Sequence, residues 1–295
     1  MSRHRITTAL AAVIVSALAA GLSAVGAYAD SSEGHSVTIM TQNLYQGTEF
    51  RHIQGLVGHE VSFEEALAAT TADYSTYLAT RFKDRAKQIA AEIVANKPAL
   101  VGLQEVGTWH VGAFNPAHPF SLPPAVSEDF TQELIAALAA DGAKYAVASR
   151  HDNNFTLAFP IFTGTEFLSV GMVEGGVILA RADLPPGQLK LSNPQSGTFN
   201  ARPPLFPNPL DPDPPHGFQF TNSWQSIDVK THGRDFRFIT THLDAVIPGG
   251  LVSGPQAQEL LAGPAHTSLP VILAGDMNSG PVLAPAAYNA FVAGG

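Results

Sequence analysis

The chain contains no cysteine. That absence excludes a disulfide framework, a thiolate metal site and a cysteine nucleophile, so stability has to come from packing. Charge is also sparse: 14% of the 295 residues are charged, and 16 Lys and Arg stand against 25 Asp and Glu, for a formal net charge of −9. The basic residues are scattered, which excludes a standing surface for tight, sequence-neutral contact with a phosphate backbone. A bound divalent cation would reverse that field locally, so a catalytic pocket for an anionic ligand is not excluded. No internal repeat is visible. His35, His52, His59, His110, His118, His151, His216, His232 and His266 show no metal-ligand spacing and read as loop or surface residues.

What is present begins with the amino terminus. Arg3 and Arg5 precede an apolar region from Ile6 to Val25, and Ala27-Tyr28-Ala29 gives a small-x-small cleavage site before Asp30. Residues 1–29 therefore read as a secretory signal peptide, and the mature chain as secreted or periplasmic. A membrane anchor is the competing reading, but the Ala, Gly and Ser content and the cleavage triplet favour removal. Residues 30–295 suit one globular domain.

Along that domain, Ser36 to Gln42 alternates as a strand with Asn43 at its end, and Ala99 to Leu103 is a buried strand that delivers Glu105. Between them Phe82, Ala86, Ile89, Ala90, Ile93 and Val94 recur at helical spacing, stopped by Asn96-Lys97-Pro98. Ser127 is placed to cap a helix running through Leu138 to Gly142, with a strand from Lys144 to Ser149 behind it. Val177 to Ala180 is a short apolar strand, and the proline-rich stretch from Asn200 to His216 is a loop. Phe220 to Lys230 and Asp235 to His242 form a hairpin around His232-Gly233-Arg234. A helix from Pro255 to Ala262, a strand from Leu269 to Ala274 and a helix from Ala286 to Val292 follow. The helix-then-strand rhythm indicates α/β packing.

Four strand-like segments thus deliver a chemistry-bearing group at their carboxyl ends: Asn43, Glu105, His242, and Asp276 with Asn278. Oxygen-rich and imidazole groups gathered in this way are what metal-assisted phosphoester chemistry requires. Each also has an ordinary structural reading. Asn43 and the Asp276-Met277-Asn278-Ser279 stretch could form turns, Glu105 could cap a helix or pair with Arg81 or Arg85, and His242 could be held by Asp244.

Taken in order, Thr41-Gln42-Asn43-Leu44-Tyr45, Val101-Gly102-Leu103-Gln104-Glu105-Val106, Trp224 to Lys230, Phe236 through Thr241-His242-Leu243 and Pro270 through Asn278 resemble the endonuclease/exonuclease/phosphatase superfamily, especially its secreted bacterial members. The resemblance spans residues 37–290. It implies a DNase I-like, four-layer α/β sandwich: two packed mixed or antiparallel sheets flanked by helices. It also implies hydrolysis of phosphodiester or phosphomonoester bonds with Mg²⁺, or another divalent cation such as Mn²⁺ or Ca²⁺. Glu105 would be the principal metal ligand with Asn43 and Asp276 beside it, Asp276 would orient the attacking water, and Asn278 and His242 would stabilise the developing charge. The substrate is a phosphoester (nucleic acid, phospholipid or small phosphate ester). No stable protein partner is expected, and the chain is expected to be a monomer. A lipid substrate would use an apolar loop, for which Phe155 to Phe167 is a candidate, although ordinary packing explains that segment as well.

The departures from the family pattern matter too. Asn222-Ser223 stands where relatives carry Arg-Gly before the tryptophan, and Gly175-Gly176 precedes Val177 where a charged residue is usual. The family's closing Arg-Ile-Asp-Tyr-like strand and Ser-Asp-His-like motif are not found before Gly295, so the expectation is a C-terminally incomplete domain without its last strands and final catalytic histidine. A catalytically inactive, truncated family member that binds metal or phosphate is the second reading.

Overall fold

The structure is a computed structural model describing residues 36–56, 61–204, 206–207, 217–282 and 284–294. The signal-peptide segment lies outside the described residues, as does most of the proline-rich stretch. One sheet has the order β1 (Ile39–Asn43), β2 (Leu100–Ala113), β5 (Phe167–Arg181), β4 (Tyr145–Phe162), with β3 (Val126–Asp129) paired to β2. The other has the order β11 (Val271–Asp276), β10 (Arg234–His242), β9 (Ser223–Thr231), β6 (Lys190–Thr198). Each sheet is mixed: β1 runs parallel to β2 and β11 parallel to β10, while β2/β5 and β9/β10 are antiparallel. A two-residue ladder joins β7 (Phe206–Pro207) to β8 (Gly217–Phe218).

Side chains alternate across a strand, so the apolar runs fill two cores at once. From β2 and β5, Val101, Leu103, Val177 and Leu179 face a core shared with helices α1 (Arg51–Gln54), α2 (Phe63–Thr80), α3 (Phe82–Asn96) and α4 (Phe130–Ala140). Their neighbours Leu100, Ile178 and Ala180 pack with Ile227, Val229 and Phe238 in a core between the sheets. On β10, Phe238 faces that middle core while Ile239 faces a third one, shared with α5 (Ser253–Ala262) and α6 (Pro285–Gly294). Burial on both faces explains why these strands read as continuous apolar runs. The result is helices, sheet, sheet, helices: the expected four-layer α/β sandwich.

Several local expectations are corrected. β2 does not stop before Glu105 but continues to Ala113, with a bulge between Leu103 and Val106. Helix α4 is capped by Asp129, whose Oδ1 accepts from the N–H groups of Thr131 and Gln132, so Ser127 lies in β3 instead. β4 and β5 extend far beyond the short strands expected, and the candidate lipid loop is their hairpin. Leu157, Phe159 and Ile161 are buried against the helices, which is the packing reading; Phe162 and Phe167 at the tip rest on one another with ring centroids 5.0 Å apart. β6 and α2 are among the elements not foreseen. β6 is polar and mostly exposed, and α2 is rich in Ala and Thr, although its Ser62–Glu65 capping box is visible in the sequence.

Candidate active site

The parallel pairs bring the expected residues to one rim. His242 and Asp276 are register partners at the ends of β10 and β11, and Asn43 is the partner of Gln104, one residue before Glu105. The sheets approach closely beneath this rim. Gln104 Nε2 donates to Thr240 Oγ1 across the interface at 2.8 Å, and a Cβ on Gly102 would sit 2.4 Å from that oxygen.

Glu105 reaches the rim because of the bulge. Its φ is 51°, a left-handed conformation that costs a non-glycine residue energy and is retained where surrounding contacts hold it. Those contacts are visible: Oε1 accepts from Asn43 Nδ2 at 2.8 Å and Oε2 from the Gln46 N–H at 3.0 Å. Asn43 Nδ2 also donates to Asp276 Oδ2 at 3.0 Å, so one amide nitrogen bridges two carboxylates from different sheets. The amide oxygen accepts from the Tyr45 N–H at 2.8 Å. Its carbonyl oxygen thus accepts from backbone while its nitrogen faces the two carboxylates. The alternative partners of Glu105 are also accounted for. Arg81 pairs with Asp84, and Arg85 donates to the carbonyls of Leu44, Tyr45 and Thr80, which pins the segment after β1.

Asp276 Oδ1 accepts from the Asn278 N–H at 3.2 Å, and Asn278, with φ 42°, donates its side-chain nitrogen to Leu243 O at 2.9 Å. An amide nitrogen has two N–H groups, so one remains for a ligand. His242 Nε2 lies 4.0 Å from Asp276 Oδ2, too far for a hydrogen bond but near enough to share one substrate atom or water.

Glu105, His242, Asp276 and Asn278 line a pocket of about 480 Å³ together with Tyr45, Gln46, Glu49, Gln54, Glu174, Phe220, Asn222 and Asp244. Glu174 and Asp244 were missed as site residues. Glu174 is a buried acid inside the otherwise apolar β5, and that mismatch was the available signal. Asp244 is 3% exposed; its Oδ1 accepts from the Ile247 N–H while Oδ2 has no hydrogen-bond partner among the described residues. Burial pushes the Asp244 carboxyl above its ordinary range, opposed in part by the backbone N–H groups of Ile247 and Val246 and by His242. Burial, with Glu49 and Glu105 nearby, likewise pushes the Tyr45 phenol up.

Among the described residues no three His, Asp or Glu side chains gather tightly enough to cage a metal ion. Mg²⁺ does not need such a cage, since it commonly takes one or two carboxylates, several waters and a substrate phosphate. Glu105 and Asp276, held close by a shared neutral donor, fit that pattern.

The endonuclease/exonuclease/phosphatase family model matches residues 74–288. The chain belongs to this family. Endonuclease/exonuclease/phosphatase proteins are hydrolases of phosphoester bonds, and the two mixed sheets flanked by helices are their DNase I-like architecture. Among solved structures, a family protein from Leptotrichia buccalis C-1013-b is 18% identical, with 72% of this chain and 66% of that chain covered and a TM-score of 0.44. A mannosyl-6-phosphatase from Bacteroides thetaiotaomicron is 15% identical over 88% of this chain and 70% of that chain, with a TM-score of 0.43. D. rerio TDP2, complexed with a single-stranded DNA product, is 16% identical over 83% and 61%, with a TM-score of 0.39. The chain therefore spans 66% of the length of the L. buccalis protein and 61% of that of TDP2. No curated protein matches it.

Proposed function

We propose that the protein is a divalent-cation-dependent phosphoester hydrolase, with Mg²⁺ as the default ion. The observation that carries this reading is the Asn43 bridge, which holds Glu105 and Asp276 together at the pocket rim beside His242. Glu105 and Asp276 would hold the cation, which when bound supplies charge neutralisation at the phosphoryl oxygens. Asp276 accepts a hydrogen bond from the attacking water and orients it. His242 donates a proton or hydrogen bond to the phosphoryl or leaving oxygen, a task suited to imidazole at neutral pH. The remaining N–H of Asn278 donates to the phosphoryl group as its charge grows. Asn43 acts through the carboxylates by fixing their separation.

The ester could be a phosphodiester, as in an extracellular nuclease or a sphingomyelinase-like enzyme, or a phosphomonoester. Export through cleavage after Ala29 belongs to the same proposal, and a mature protein whose first residue is Asp30 would support it. The deciding experiment is hydrolysis of bis-p-nitrophenyl phosphate and p-nitrophenyl phosphate with and without Mg²⁺. Turnover lost in EDTA and in Asp276→Ala supports the enzyme. A folded, Mg²⁺-supplied protein that binds the ion yet turns over neither ester would support the non-catalytic binder instead.

A further inference from the structure

Arg85 stands near the start of α3, outside the pocket lining, yet its side chain reaches the segment that forms that lining. Nε donates to Thr80 O at 3.2 Å, and the two terminal nitrogens donate to Leu44 O and Tyr45 O, the second at 3.0 Å. The guanidinium also lies over the rings of Phe82, Tyr45 and Phe130, at 4.9, 5.7 and 5.9 Å from their centroids. Carbonyls and rings together fix its plane. Burial pulls its pKa below the ordinary arginine value while Glu128, Tyr45 and Glu105 push it back, and an arginine keeps its charge at neutral pH.

Tyr45 O belongs to the same peptide unit as the Gln46 N–H, and that N–H donates to Glu105 Oε2 at 3.0 Å. Two hydrogen bonds therefore run from the guanidinium through one peptide to a carboxylate, and each polarises the other. The backbone is held here against its own preference, because Tyr45 has φ 54°, a left-handed conformation that costs a tyrosine energy. Arg85 grips the peptides on both sides of that residue: Leu44 O precedes it and Tyr45 O follows it. The next peptide is secured as well, since the buried Trp109 donates Nε1–H to Gln46 O at 3.1 Å. Rotation of the Tyr45–Gln46 peptide would carry the N–H away from Glu105.

We infer, on the reading that Glu105 holds a divalent cation, that Arg85 is a positioning residue for the cation site: its grip on the peptides around Tyr45 keeps the Gln46 N–H on Glu105 Oε2 and so fixes how that carboxylate meets the ion. Groups that orient a ligand commonly govern metal affinity although they never touch the metal. Coulomb attraction alone predicts the opposite sign. Arg85 lies within electrostatic reach of Glu105, so loss of its positive charge by itself favours a bound cation. Orientation and charge are therefore told apart by the direction of the change.

The test is calorimetric titration with Mn²⁺, which reads binding without turnover, on the parent, Arg85→Met, Arg85→Lys and Arg81→Met, with thermal melts in EDTA to establish that each is folded. Arg85→Met should weaken Mn²⁺ binding by about 10- to 100-fold. Arg85→Lys keeps the charge but not the fork that spans two carbonyls, and should weaken binding by a smaller factor. Arg81→Met removes an equal charge at the amino-terminal end of the same helix, where the partner is Asp84, and should leave Kd unchanged. An unchanged or tighter Kd in folded Arg85→Met would overturn the inference and leave the cation reading intact. Should Arg85→Met not fold, an unchanged or tighter Kd in Arg85→Lys has the same force. A parent protein that binds no Mn²⁺ removes the cation reading, and this inference with it.

Discussion

His242 and Asp276 stand opposite one another in the parallel register of β10 and β11, with Nε2 and Oδ2 4.0 Å apart. The gap sets an imidazole and a carboxylate against the same small volume, one able to donate to an oxygen and the other to accept from a water. Groups used chiefly in the transition state affect kcat more than KM. His242→Ala should therefore lower kcat by a factor of about 10² to 10⁴ with little change in KM for p-nitrophenyl phosphate. A tenfold or greater rise in KM at unchanged kcat would instead place His242 in ground-state binding.

Asn43 holds two like charges together, so its loss should be felt most when no cation is present. Asn43→Ala is expected to lower stability in EDTA by about 2 kcal/mol, the scale of hydrogen bonds to charged groups. Mg²⁺ should restore part of that loss, because the cation takes over the screening. Thermal melts of both proteins with and without Mg²⁺ read the difference directly.

Gly275 lets β11 lie against β10. Its φ is 155°, and a Cβ there would be 2.1 Å from Thr241 O, with backbone on both sides of the clash. Gly275→Ala should cost roughly 3 kcal/mol or push Asp276 away from His242. Chemical denaturation together with the Mg²⁺-dependent rate separates these two results, and a variant unchanged in both would show that the strand pair is looser than this packing implies.

Asp244 makes a pH-dependent prediction. Because burial raises its pKa in the folded protein, the folded state holds this proton at pH values where the unfolded chain has released it. The slope of stability with pH from this group is therefore negative: its ionisation costs stability as pH rises, and the cost disappears as pH falls below the ordinary Asp value of about 4. Asp244→Asn keeps an acceptor for the Ile247 N–H and cannot ionise. Its Tm relative to the parent should be most favourable near neutral pH and decline towards acid. A difference independent of pH would assign the effect to packing.

Much of the architecture was legible because strands carry uninterrupted apolar runs, as Val177 to Ala180, buried on both faces, and Pro270 to Ala274, at a sheet edge with Val271 and Ile272 exposed, both do. The hairpin turn was equally plain, since His232-Gly233 must adopt positive φ, observed at 46° and 77°. Helix α2 was not, because Ala and Thr give it only a faint apolar stripe and its burial is set by what packs on it. The polar strand β6 is recruited by β9 through backbone hydrogen bonds that side-chain type barely encodes.

By itself the sequence determined which candidate groups strands would present at their ends, since carboxylate, imidazole and amide are properties of residues and periodicity is a property of the chain. Tertiary structure alone decided their geometry. The bulge that turns Glu105 to the rim, the amide that Asn43 directs to two carboxylates, and the entry of Glu174 and Asp244 into the pocket depend on contacts between segments far apart in sequence. Local patterns carry no record of such contacts, because distance between sheets is set only when their shared core closes.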